Sequence, residues 1–236
     1  MALLEHQEED IAVGMFDRGL LGFPDGGITL KSGRQSPYYY DMRGSLSFSK
    51  ELNRSGQMSI ERQRDFRREL VAGYVAKFFE IKYPIDHVFG IAQAATAPVA
   101  VAAYEAGMSY LWERIDEPYK TYGYHQKIDG DYEEGDTILM ADDVVTDGKS
   151  KVEGLLVLTA VGLKSVAITL QFDRQEGGVQ TLEEDYGFEV NAITSLSKAA
   201  CFLLDNGRID NRAIDALQTY HEELRADGKV STFQLS

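Results

Sequence analysis

The stretch ILMADDVVTDGKS, residues 138 to 150, holds the densest set of side chains able to do chemistry. An apolar run ends on two adjacent carboxylates, Asp142 and Asp143, and a short loop follows before the next helical pattern. Two carboxylates at a strand's end invite a cation. The loop carries Thr146, Asp147, Gly148 and Ser150, and its hydroxyls and backbone N–H groups suit a phosphate at a helix N-terminus, helped by the helix dipole. Lys149 adds a full positive charge. Together these parts fit a sugar phosphate: the loop grips the terminal phosphate, and the aspartates hold ribose hydroxyls or water around magnesium. In a displacement of pyrophosphate from C1 of ribose, positive charge grows on the sugar and negative charge on the leaving group. Anionic side chains beside the ring and a metal on the pyrophosphate would each stabilise one half. Alone, a string such as DDVVTDG is more often an acidic turn capping a helix, so its surroundings decide. It matches neither GxxxxGK[ST] nor GxGxxG, which disfavours a Walker-type loop and a dinucleotide site.

The surrounding chain alternates strands and helices. Ile11, Met15 and Leu20 predict an amphipathic helix over residues 5 to 20, stopping before the turn at Phe23 to Gly27. Ile28 to Leu30 and Tyr38 to Tyr40 read as short strands flanking the turn SGRQSP. From Ser59, the residues Phe66, Leu70, Tyr74 and Phe78 recur every fourth position, as an amphipathic helix requires, and Pro84 closes the segment. Val88 to Ala92 reads as a buried strand, Thr96 to Ala106 as a helix with Pro98 in its first turn, and Ser109 to Glu113 as a strand. Residues 114 to 136 carry many charges and three glycines, which suggests a long surface loop or mobile hairpin. Thr137 to Ala141 is then a strand, Lys151 to Val161 a helix, and Ser165 to Phe172 a strand. Two helices around Asn206 and Gly207 complete the pattern, with a polar tail after Arg225. Such alternation predicts right-handed parallel βαβ units with helices on both faces of the sheet, and ligands beyond the carboxyl ends of the strands. A chain of 236 residues fits one domain: an N-terminal segment over 1–50, an α/β core over 60–225 and a tail over 226–236.

Composition narrows the partners. With 24 basic and 38 acidic residues the formal charge is −14, a field that repels nucleic acid and anionic membrane. The first twenty residues lack a basic start and a continuous apolar run, so no signal peptide is expected, and no stretch approaches the ~18 apolar residues of a membrane span. The single Cys201 excludes an internal disulfide. A cytoplasmic home is the expectation.

The strand, acidic pair and loop resemble the phosphoribosyl pyrophosphate signature of type I phosphoribosyltransferases. Two further strings narrow the likeness. LKSGRQSPYYY at residues 30 to 40 resembles the N-terminal substrate segment of the orotate phosphoribosyltransferases, and FDRQEGG at 172 to 178 resembles their strand-end segment after the signature helix, in the right order. KTYG at 120 to 123, IDG at 128 to 130 and EEGDTILMADD also fit, so the resemblance spans roughly residues 10 to 225. It implies a central, mainly parallel sheet flanked by helices, with a small N-terminal hood and a mobile loop. It implies transfer of phosphoribosyl from phosphoribosyl pyrophosphate to orotate, giving orotidine 5′-monophosphate and pyrophosphate, with Mg2+ carried by the substrate and aided by Asp142 and Asp143. By the same resemblance Lys31 contacts the pyrophosphate side, Tyr39 or Tyr40 lies against the base, and Arg174 meets the orotate carboxylate with Thr146 nearby. A homodimer is implied, its loop carrying Arg114 and Lys120 into the neighbouring subunit's site.

The pattern also departs from the family. Ile115 and Tyr122 stand where the loop usually has lysine and histidine, and Gln93, Ala94 and Ala95 bring no charge where a lysine is common. Lost cations predict weaker pyrophosphate binding, a different base, or another group supplying the charge. Two alternatives therefore stand beside orotate: transfer to another nucleobase, and a non-catalytic regulator that senses phosphoribosyl pyrophosphate.

Overall fold

The computed structural model describes residues 2–30, 33–114, 127–145 and 149–235. The first helix, α1 (Ala2–Asp17), ends three residues before its apolar pattern does. Gly19 takes φ 68°, and the N–H groups of Gly19 and Leu20 return to the carbonyls of Phe16 and Met15 at 2.8 and 2.9 Å. A left-handed glycine that closes the last turn in this way stops a helix whatever the side chains beyond it prefer. Two nested antiparallel pairs follow: β1 (Leu21–Gly22) with β4 (Tyr39–Tyr40), and inside them β2 (Ile28–Thr29) with β3 (Gln35–Ser36). These, with the short α2 (Lys50–Arg54), build the hood. Helix α3 (Ile60–Glu80) starts where the Ser59 hydroxyl accepts the Arg62 N–H, and it buries the expected stripe of Phe66, Leu70, Tyr74 and Phe78.

The core is a six-stranded sheet. Its strands are β5 (His87–Gly90), β6 (Ser109–Glu113), β7 (Ile128–Asp129), β8 (Thr137–Val145), β9 (Lys164–Asp173) and β10 (Glu189–Ser195). Their order is β10-β9-β8-β5-β6-β7, parallel throughout except for β7, which closes a hairpin against β6. Helix α4 (Thr96–Glu105) joins β5 to β6, α5 (Lys149–Ala160) joins β8 to β9, and α6 (Gly178–Glu184) joins β9 to β10. Helices α7 (Leu196–Asp205) and α8 (Asn211–Ala226) complete the chain. One face of the sheet packs Val88, Leu139 and Ala167 against α1, α3, α4 and α7; the other packs Phe89, Met140 and Ile168 against Leu158 of α5 and Leu182 of α6.

Two sequence readings change here. The strand expected to stop at Ala141 runs four residues further, because β9 continues to offer backbone partners as far as Asp173 opposite Val145. Strand β10 was not foreseen at all. Its string EVNAITS lacks the continuous apolar run of β8 and lies at the edge of the sheet. The tail beyond α8 packs down: Phe233 is 3% exposed, and its carbonyl accepts Nη2 of Arg225 at 2.6 Å. No helix among the described residues is long and apolar enough to cross a membrane.

Candidate active site

The strand order reverses between β5 and β8, since chain succession runs outward from that seam in both directions. In open α/β sheets the crevice beyond the carboxyl ends at such a reversal is where ligands bind. Here the crevice arises from unequal lengths. The last rung between the two strands pairs Gly90 with Ala141, while residues 142–145 continue beside β9 alone. Glycine at position 90 leaves room for its neighbours: a Cβ there would lie 2.4 Å from the Tyr110 hydroxyl and 3.2 Å from Thr96 Cα. Just past it, the Ala92–Gln93 peptide is cis.

Three successive carbonyls of this overhang are met by side chains from three other elements. The Tyr74 hydroxyl of α3 donates to Asp142 O at 3.0 Å, the Tyr40 hydroxyl of the hood to Asp143 O at 3.3 Å, and Nζ of Lys151 to Val144 O. Buried backbone groups left without partners would be costly, so these contacts hold the overhang in place. They also divide the acidic pair. Asp142 is buried, with Oδ2 2.5 Å from the buried Lys151 ammonium and Oδ1 accepting the Asp143 N–H at 2.7 Å. Asp143 is only partly covered. Burial first, and then the Asp142 charge, push the Asp143 carboxyl up to about 7.

On the neighbouring strand end sits Arg174. Its Nε donates to the Tyr38 hydroxyl at 2.8 Å, and Nε and Nη2 reach Oε1 of Glu176 at 3.2 and 2.9 Å. Burial opposes its charge, but the Tyr38 and Glu176 oxygens outweigh that and raise its pKa. The turn holding Arg174 is stiff. Gln175 adopts φ 59°, a left-handed conformation that costs a non-glycine residue about 1–2 kcal/mol. Its N–H is held by Asp173 at 2.8 Å, its carbonyl by Thr232 N at 3.1 Å, and its Oε1 by Ser197 N at 2.8 Å.

Tyr40 joins the two strand ends: its ring stacks on Phe172 with centroids 4.5 Å apart and planes 16° apart, while its hydroxyl holds the acidic overhang. Tyr39 points elsewhere, donating to Gly19 O at 3.3 Å and lining an open cleft of about 970 Å³ between hood and α8. The fold thus brings Asp142, Asp143, Tyr40 and Arg174 to two adjacent strand ends. Arg114 is at the foot of the β6–β7 hairpin, 3.6 Å from Asp129. Lys149 and Ser150 are the first two residues of α5. Lys31, Lys120, Thr146, Asp147 and Gly148 lie outside the described residues.

Sequence reasoning missed Lys151, Tyr74 and Glu176. Lys151 had a signal, since GKSK offers two lysines two residues apart, but which one turns inward depends on the packing of α5. Among the described residues no group of three or more His, Cys, Asp or Glu side chains could hold a metal.

The mostly parallel sheet, its crevice at the reversal and the hood over it define the fold of a type I phosphoribosyltransferase. The crystal structure of orotate phosphoribosyltransferase from Francisella tularensis shares it, with TM-score 0.64 and 22% identity over 89% of this chain and 92% of that one. No protein-family model matches the chain. Among curated relatives, orotate phosphoribosyltransferase of Photobacterium profundum is 30% identical over 216 residues, 88% of this chain and 92% of its own length. Bovine uridine 5′-monophosphate synthase is 28% identical over 213 residues, 90% of this chain, and the chain spans 40% of that relative's length. The chain belongs to the orotate phosphoribosyltransferase family, and it is a phosphoribosyltransferase enzyme.

Proposed function

We propose that the protein joins orotate to the ribose of phosphoribosyl pyrophosphate, releasing pyrophosphate and orotidine 5′-monophosphate, in the synthesis of UMP. The observation that carries this reading is an acidic residue and a guanidinium on adjacent strand ends: the half-covered Asp143 of β8 and Arg174 just past β9, with Tyr40 tied to the β8 overhang and stacked on Phe172 of β9. Ribose would lie against the β8 overhang, its terminal phosphate against residues 146–150 at the start of α5. A base nitrogen attacks C1 as the bond to pyrophosphate breaks. Asp143, when ionised, would shelter the electron-poor carbon. Arg174 would take the base carboxylate through parallel hydrogen bonds, with Tyr40 or Tyr39 against the flat ring. Magnesium, bound to pyrophosphate and water beside Asp143, would offset the charge of the leaving group.

An arginine placed for an acidic base favours orotate over a neutral purine, and the relatives above lend no support to a sensing regulator. A homodimer fits the exposed apolar side chains of α4 and β6. Tyr104 is 82% exposed, and Val101 and Trp112 about 40%, next to Arg114 at the foot of the hairpin. In such a dimer Arg114 and Lys120 would serve the neighbouring site. A cytoplasmic home accords with a single cysteine. The test is turnover of orotate, followed by its absorbance, with phosphoribosyl pyrophosphate and magnesium, against uracil, hypoxanthine and adenine. Orotate alone should be consumed; turnover of only a control base would reject the assignment.

A further inference from the structure

Glu176 sits where three parts of the molecule meet, and its partners give it more than a packing role. One oxygen, Oε1, accepts the Tyr38 hydroxyl from the hood at 2.8 Å, the Tyr220 hydroxyl from α8 at 3.2 Å, and Nε and Nη2 of Arg174 at 3.2 and 2.9 Å. The Tyr38 hydroxyl accepts from Arg174 as well as donating to Glu176, so the three groups close a ring. The side chains of Glu176 and Arg174 are 8% and 13% exposed, and Tyr38 and Tyr220 meet edge to face, 6.3 Å apart at 84°. Buried ion pairs add little net stability compared with apolar packing, so this arrangement is a weak device for holding the fold together. It is a strong device for fixing a guanidinium plane, because two of the three nitrogens are engaged and the ring of Tyr38 lies against it with Cζ 5.0 Å from the centroid. We infer that Glu176 is a positioning residue for base recognition: with Tyr38 and Tyr220 it orients Arg174 so that the guanidinium's remaining edge meets the carboxylate of the base.

The inference rests on the reading that Arg174 binds that carboxylate, and the experiment separates the two. The intact enzyme and the variants Glu176→Ala, Glu176→Gln, Tyr220→Phe and Arg174→Ala are compared for KM of orotate, KM of phosphoribosyl pyrophosphate, kcat and Tm. Losing a hydrogen-bonded charge that orients the arginine should raise the orotate KM by about tenfold, with the other KM within about twofold. Glu176→Gln, which keeps an acceptor oxygen, should recover most of this, and Tyr220→Phe should cost about threefold. Combining Glu176→Ala with Arg174→Ala should raise the orotate KM no further than Arg174→Ala alone, a non-additivity that a merely structural role would not produce. If Arg174→Ala leaves the orotate KM unmoved, the base-site reading itself is wrong. If Arg174→Ala raises it and Glu176→Ala does not, or raises both KM values together, the positioning role falls and the base site stands. Should Glu176→Ala fail to fold, Glu176→Asp carries the test. Its carboxylate is one methylene short, so a several-fold rise in orotate KM supports the role, and an unchanged value overturns it.

Discussion

The carboxyl ends of β8 and β9 lie side by side, each carries a charged side chain, and each anchors that charge by different chemistry. On β8, Asp142 is neutralised by one buried ammonium, Lys151, supplied by the helix that follows. On β9, Arg174 is held by a carboxylate that is itself shared with two tyrosine hydroxyls from distant elements. The first arrangement depends on a single pair in a dry setting, and the second spreads its dependence over several neutral donors. The β8 end should therefore be brittle and the β9 end tolerant.

Removing the Lys151 ammonium is the largest blow available to that comparison. Lys151→Ala leaves Asp142 buried without its counter-ion and takes a donor from Val144 O. Breaking a buried pair by deleting one partner costs about 3–5 kcal/mol. At about 2–4 °C per kcal/mol for a chain of this size, Tm should fall by roughly 6–20 °C. The paired change Asp142→Asn with Lys151→Met should recover much of the loss. A Tm within about 2 °C of wild type for Lys151→Ala would show that the β8 end is not brittle.

The acidic overhang of β8 was legible in advance, and little of its support was. The string ADDVVTDG announces itself because its residues are neighbours in sequence. The pattern every fourth residue from Phe66 to Phe78 marked α3, yet nothing in it said that Tyr74, read as one more core aromatic, would spend its hydroxyl on Asp142 O, 68 residues away. The β9 end was harder. Arg174 stood out only through its motif, and the oxygen that holds it collects Tyr38 from 138 residues earlier and Tyr220 from 44 later. Periodicity reports which face of an element is buried, but not which polar tips meet there. The hood was readable as short strands around SGRQSP; their nesting, which sends Tyr39 and Tyr40 in different directions, comes from the pairing of Leu21 with Tyr40 and Gly22 with Tyr39.

Titration sharpens the comparison, since the two sides respond to pH with opposite sign. In the folded chain the Asp143 carboxyl is raised from 3.8 to about 7. Between those values it is protonated when folded and ionised when unfolded, so unfolding releases a proton and stability falls as pH rises. The contribution is fully present below the unfolded value and is lost as pH climbs through about 7. Asp143→Asn removes that slope: its stability should match wild type near about pH 4 and exceed it at about pH 8 by about 2–4 kcal/mol, read as a higher Tm. The same ionisation should give the wild-type kcat/KM for phosphoribosyl pyrophosphate an acid limb near pH 7, since this ratio reports the free enzyme, and the variant should be nearly inactive. An equal Tm gain at both pH values would mean that Asp143 is not the titrating group.

The β9 end carries the smaller and reversed dependence, in the scaffold behind Glu176. His221, the neighbour of Tyr220 on α8, is fully buried, stacked on Phe233 at 4.4 Å and 12°, with Nδ1 2.8 Å from the Ser231 hydroxyl and Nε2 buried without a partner. Burial, with Arg225 and Arg174 beside it, lowers its pKa from 6.5 to about 4. Here the unfolded chain takes up the proton first, so stability is present above the unfolded value and drains away as pH falls toward about 4. At about pH 5 only part of that window has been crossed, which limits the loss to about 2 kcal/mol. His221→Phe keeps a ring to stack on Phe233 and removes the proton site. Its Tm should therefore decline less than wild type between about pH 7 and about pH 5, while any cost of losing the Ser231 contact appears equally at both. If the two proteins decline in parallel, His221 is not the titrating group, and the acid sensitivity of this half belongs to carboxylates elsewhere.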